Sequence, residues 1–153
     1  MGQVTGFFHG GITVRDMDRS LGFFKNVLGV GFTEVTGPAA EIAGCRLAIS
    51  FDKKLELISP VAEPKQVTNP PDPLELKRRL GEAGDAVLYA LIFKVKDYEK
   101  AVANAAEQGV SVTGDKLEYA RVDQFGLSNL EEVALNEDDT LGIKMAFVKY
   151  DRD

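Results

Sequence analysis

Polar and apolar positions alternate from Phe7 to Val14. Phe7, His9, Gly11 and Thr13 fall on one side, and Phe8, Gly10, Ile12 and Val14 on the other. A period of two predicts a strand with two unlike faces. The period then changes. Met17, Leu21, Phe24 and Leu28 recur at helical spacing, the buried stripe of an amphipathic helix. Asp16 or Asp18 is placed to cap its first turn, and Gly29 suits the left-handed position beyond its last. Strands are predicted at 31–36, 45–51 and 54–58, with Asp52-Lys53 as the tight turn between the last two. In the last of these Leu55 and Leu57 face one way, and Lys54, Glu56 and Ile58 the other.

The same plan returns 81 residues later, counted from Val14 to Val95. A strand is predicted at 88–95 and a helix at 97–108. Further strands are predicted near 110–113, 117–122, 133–136 and 142–148. Asp97 answers to Asp16 and Val102 to Leu21. Leu91, Phe93 and Val95 share the face expected to pack on the helix, with Ala90, Ile92 and Lys94 opposite. Tyr89 falls on the helix side by alternation. An internal repeat of this kind fixes the architecture as two β-α-β-β-β modules, an α+β class. Between them, residues 59–73 hold Pro60, Pro64, Pro70, Pro71 and Pro73 and read as a linker. Asp72-Pro73 opens a short helix to about Leu80. The expected organisation is one domain over 1–153, with module one at about 5–58 and module two at about 88–150.

Composition narrows the partners. The chain has 153 residues, 44% hydrophobic and 27% charged, with a formal net charge of −6. That balance disfavours nucleic acid and anionic membrane as main partners. No apolar run has the length of a membrane span, and no secretory signal is visible. Cys45 is the single cysteine, which excludes an internal disulfide and suggests a reducing, cytoplasmic setting. Gly10-Gly11 lies inside a strand, so close backbone approach explains it better than phosphate binding. The acidic run 136–139 reads as a solvated hairpin turn.

Three stretches carry a resemblance: H-x-G-I-x-V-x-D at 9–16 with the R-S-L-x-F-F-x-x-V-L-G run at 19–29, L-E-L-I-S-P at 55–60, and L-Y-A-L-I-F-K-V-K-D at 88–97. With them the chain resembles the vicinal oxygen chelate superfamily, which includes glyoxalase I, methylmalonyl-CoA epimerase, extradiol dioxygenases and the bleomycin-resistance proteins. The resemblance implies one open, strongly curved mixed-sheet barrel around a pocket, and a homodimer. In metal-using members two side chains from each module hold one divalent ion. Carried over, His9 and Glu56 match the first module's positions. In the second module Ala90 stands at the opening-strand position, and Ala146 or Lys144 at the closing-strand position. Glu118, Asp123, Glu131 and Glu137 are the acids of that module that could supply another ligand.

Two chemistries follow for a small-molecule substrate. One uses a divalent ion (Zn, Ni, Co, Mn or Fe) on His9 and Glu56. The other needs none: His9 and Glu56 act as an acid–base pair that removes a proton next to a carbonyl, and Lys144 stabilises the resulting anion. The alternative is a metal-free binding protein without turnover, its cavity drawn from Phe7, Phe51, Ile58, Ile92, Tyr119 and Phe125.

Overall fold

Asp16 ends the first strand and starts the first helix. Its backbone is extended, and its carboxylate accepts from the Arg19 amide at 3.0 Å. This satisfies one of the donors a helix start leaves orphaned. Asp97 does the same for the Lys100 amide at the matching place in the second repeat, at 3.1 Å. The computed structural model describes residues 3–36, 44–61 and 73–152. By their contacts these divide into two units: His9–Tyr89, and the chain up to Phe8 together with Ala90 onward.

The first unit takes β1 (Val4–Val14) from His9 on, then α1 (Met17–Leu28), β2 (Thr33–Glu34), β3 (Cys45–Ser50), β4 (Leu55–Pro60) and α2 (Pro73–Ala83). Its strands lie in the order β2-β3-β4-β1. β1 runs parallel to β4, pairing Gly11 with Glu56 and Ile12 with Leu57, and β3 runs antiparallel to β4. One face of this sheet packs on α1. Val14, Met17, Ala48 and Leu57 are buried there, with Ile12, Leu21, Phe24 and Phe32 against them. Gly29 closes α1 at φ 66°, where a side chain would be strained. α2 packs on β4 with Leu76 and Leu80 fully buried. The Arg15 guanidinium donates to the carbonyls of Leu80 and Gly84, at 2.9 and 2.8 Å, and so caps the end of that helix.

The second unit holds β5 (Ala86–Val95) from Ala90 on, α3 (Tyr98–Glu107), β6 (Val112–Val122), β7 (Leu127–Leu135) and β8 (Met145–Arg152), ordered β5-β8-β7-β6. β5 is parallel to β8, and β7 is antiparallel to both β8 and β6. On one sheet face Lys116 binds the carboxylates of Glu118 and Glu131, and Lys149 binds Glu131 at 3.2 Å. The Lys116 ammonium also lies 5.0 Å from the Tyr98 ring of α3. Hydrogen bonding from Lys116 holds the Glu131 carboxyl below its ordinary value. A depressed carboxyl contributes stability above its unfolded-state pKa and loses it as pH falls through the folded-state value. Glu131→Gln is therefore expected to lower stability by up to about 1 kcal/mol at neutral pH. The gap from wild type should close in melting curves taken well below the carboxylate range.

Several boundaries differ from the sequence reading. The strand expected at 31–36 is only Thr33–Glu34, and the two expected near 110–122 are one strand broken by an irregularity between Thr113 and Leu117. β7 starts at Leu127 rather than near 133, because Ser128, Glu131 and Glu132 pair regularly despite lacking apolar alternation. The last strand starts at Met145 rather than Gly142. Leu141 and Gly142 hold positive φ in a turn tied by the Thr140 hydroxyl to the Ile143 carbonyl at 2.7 Å. The acidic run forms a single 3-10 turn, Glu137–Asp139, capped by Asn136. Most of the proline-rich linker, including Asp72, lies outside the described residues.

Candidate functional site

The parallel register decides which side chains meet in the first unit. Glu56 pairs with Gly11, and His9 lies two residues before Gly11 on the same face. Glycine leaves its place in that row open, so the carboxylate can turn toward the imidazole. His9 Nε2 and Glu56 Oε2 are 3.1 Å apart. His9 is 4% and Glu56 9% exposed, so the contact is largely shielded from water. Ile58, also buried, pairs with Thr13 on this face. Thr13 is fully buried, and its hydroxyl has no hydrogen-bond partner among the described residues.

Alternation assigns Tyr89 and Ala90 to opposite faces of β5. Burial does not alternate here: Phe8 and His9 are both buried, as are Tyr89 and Ala90. Burial raises the Tyr89 hydroxyl pKa far above its usual value, and the Glu75 carboxylate adds to the rise. Arg79 opposes it, while Cys45 and Glu56 contribute further. The Arg79 guanidinium sits 5.8 Å from the Tyr89 ring and is held by Glu75 at 2.8 Å. Tyr89 thus lies within the electrostatic reach of Glu56.

The second unit has the same backbone plan without the polar pair. Gly10 pairs with Leu55, and 81 residues on Leu91 pairs with Met145. Glu56 pairs with Gly11, and Ala146 with Ile92. The counterpart of Glu56 is therefore Ala146, which settles the choice against Lys144. Lys144 precedes β8, and its carbonyl accepts from the Leu91 amide at 3.0 Å. The Lys54 carbonyl accepts from the Gly10 amide at the same distance. Ala90 and Ala146 are buried, at 6% and 5% exposure. Among the acids considered, Glu118 and Glu131 belong to the lysine-bound network, and Asp123 and Glu137 to 3-10 turns. The acid that shares a face with Ala146 is Glu132, paired with Val148, which the sequence reading did not single out. Of the apolar candidates, Ile58 and Ile92 are buried. Phe7 is 37% exposed and stands edge-on to Phe93, with ring centres 5.9 Å apart. Burial, then Glu132, raises the pKa of the half-buried Tyr119.

Imidazole and carboxylate are sound ligand types for a divalent ion, but tight sites use three or four protein donors. No group of three His, Cys, Asp or Glu side chains suited to holding an ion occurs among the described residues. Among the described residues the donor set therefore does not fit a tightly held resident ion.

Two β-α-β-β-β units, each with its first strand parallel to its last and the helix after that first strand packed on the sheet, define an α+β protein built of two such modules. The chain belongs to the Glyoxalase/Bleomycin resistance protein/Dioxygenase superfamily, whose family model matches residues 8–125. No curated protein matches it. Among solved structures it is similar to the methylmalonyl-CoA epimerase of Mycobacterium tuberculosis, with 21% identity, a TM-score of 0.69, and 97% of this chain and 90% of that chain covered. A hypothetical protein of Bacillus halodurans gives 18% identity and a TM-score of 0.71, covering 96% and 95%. A methylmalonyl-CoA epimerase in complex with methylmalonyl-CoA and NH4+ gives 19% identity and 0.68, covering 95% and 94%. At these identities the likeness is one of fold. Among the described residues no helix is long and apolar enough to cross a membrane.

Proposed function

We propose that the protein is an enzyme of the glyoxalase/epimerase type that removes a proton from carbon next to a carbonyl. The carrying observation is the buried 3.1 Å contact between His9 Nε2 and Glu56 Oε2. His9 donates its Nε2 hydrogen to one carboxylate oxygen and fixes the plane of the group. The other oxygen, Oε1, takes the proton. Glu56 is assigned as the base because its side chain is the more accessible of the two, 12% against 5% exposed. With one carboxylate oxygen held by His9, the open oxygen Oε1 can take the proton, exchange it with solvent and return a proton to the same carbon. The epimerases among the structural neighbours support a carbonyl substrate of thioester type. The assignment here stays with the class, a small molecule bearing an acidic C–H beside a carbonyl.

The test is hydrogen–deuterium exchange. A panel of acyl thioesters and 2-hydroxy or 2-oxo carbonyl compounds is incubated with the protein in D2O and followed by proton NMR. Catalysed loss of the α-proton signal of one class, absent with Glu56→Gln, is the expected result. Saturable binding of a panel member with no exchange above background would replace the enzyme by the binding-protein reading.

A further inference from the structure

The second unit carries a cation placed unlike its other lysines. Lys94 pairs with Val148 in the parallel β5–β8 register, so Lys94, Ile92, Ala146, Val148 and Tyr150 share one sheet face. Its ammonium lies 3.8 Å from the centre of the Tyr150 ring. Phe8, buried, packs on the same ring with centres 5.1 Å apart. Lys94 is half-buried and pairs with no carboxylate among the described residues. On the other face Lys116 pairs with Glu118 and Glu131, and Lys149 with Glu131.

An aromatic ring holds an ammonium in place without cancelling its charge. The hydrogens turned away from the ring keep their capacity for an acceptor. With Ile92, Ala146 and Val148 apolar around it, the charge is less screened than on an open surface. We propose that Lys94, seated on Tyr150, is the recognition point for the anionic group of a small molecule, a carboxylate or phosphate. This stands independently of the His9–Glu56 reading. Glu132 lies in the same row beyond Val148. Two strand spacings put it about 10 Å from Lys94 at the backbone. It therefore opposes an extended polyanion and favours a compact one.

The experiment is titration of the full chain with sodium phosphate, malonate and tripolyphosphate at constant ionic strength, following the Tyr150 ring protons by NMR and the heat by calorimetry. Saturable shifts of Tyr150 are expected with phosphate or malonate, and weaker binding with tripolyphosphate. Which of the two compact anions binds more tightly tells phosphate from carboxylate recognition. Lys94→Met should weaken binding at least tenfold, Lys94→Arg should retain it, and Glu132→Gln should strengthen it toward tripolyphosphate. Shifts absent from Tyr150 in the wild type would overturn the proposal without recourse to any variant. Equal affinity in a folded Lys94→Met protein would do the same.

Discussion

Glu56→Gln is expected to reduce catalysed α-proton exchange by about 10²- to 10⁴-fold, the usual worth of a positioned general base. The amide nearly preserves the shape of the carboxylate and can still accept from His9 Nε2, so the fold should survive the change. His9→Ala should cost less in rate than Glu56→Gln, because it leaves the proton-accepting oxygen in place but unfixed. Rates measured on the same substrate across pH separate the two roles. If His9→Ala were the more damaging in rate and Glu56→Gln nearly silent, His9 would be the base and Glu56 its orienting partner.

The largest expected effect on stability is at Leu57. It is fully buried between β1 and β3, paired with Ile12 on one side and Ala48 on the other, in the cluster that seats α1. Leu57→Ala removes three carbons from a site whose neighbours sit on strands and cannot easily close in. The expected loss is about 2–5 kcal/mol. Chemical denaturation should show a lowered midpoint at unchanged slope. Since Glu56 is the adjacent residue on the same strand, a fall in activity well beyond the folded fraction would show that the α1 core also aims the carboxylate.

The modular plan was legible because it rests on periodicity that tertiary contacts reinforce. The stripe Met17–Leu21–Phe24–Leu28 is the observed α1, and Asp16 and Gly29 stand at its two ends as their chemistry predicts. His9 and Glu56 were legible for the same reason, since their faces follow from the apolar neighbours Leu55 and Leu57. What failed was inference across broken alternation. Tyr89 and Ala90 are both buried, so burial along β5 does not mark one face as covered and the other as open. β7 was shortened because its outward residues are charged and its pairing partners, Lys116 and Lys149, are far along the chain. The position of the Glu56 counterpart needed the strand register, which a sequence with an unplaced gap does not contain.

The Thr13 hydroxyl, without a partner among the described residues, and the buried imidazole–carboxylate pair give the first unit a thermodynamic character that Ala90 and Ala146 give no reason to expect in the second. A buried pair of this kind often contributes less to folding than apolar side chains of equal volume, by about 1–4 kcal/mol. Selection for fold strength alone would have erased it, as it has been erased, or was never present, at the equivalent places 81 and 90 residues on. A His9→Leu, Glu56→Met, Thr13→Val triple variant should therefore be inert and yet melt at a higher temperature than wild type. The pair would then be retained at the expense of robustness, and the protein would stand among those whose activity and durability pull against each other.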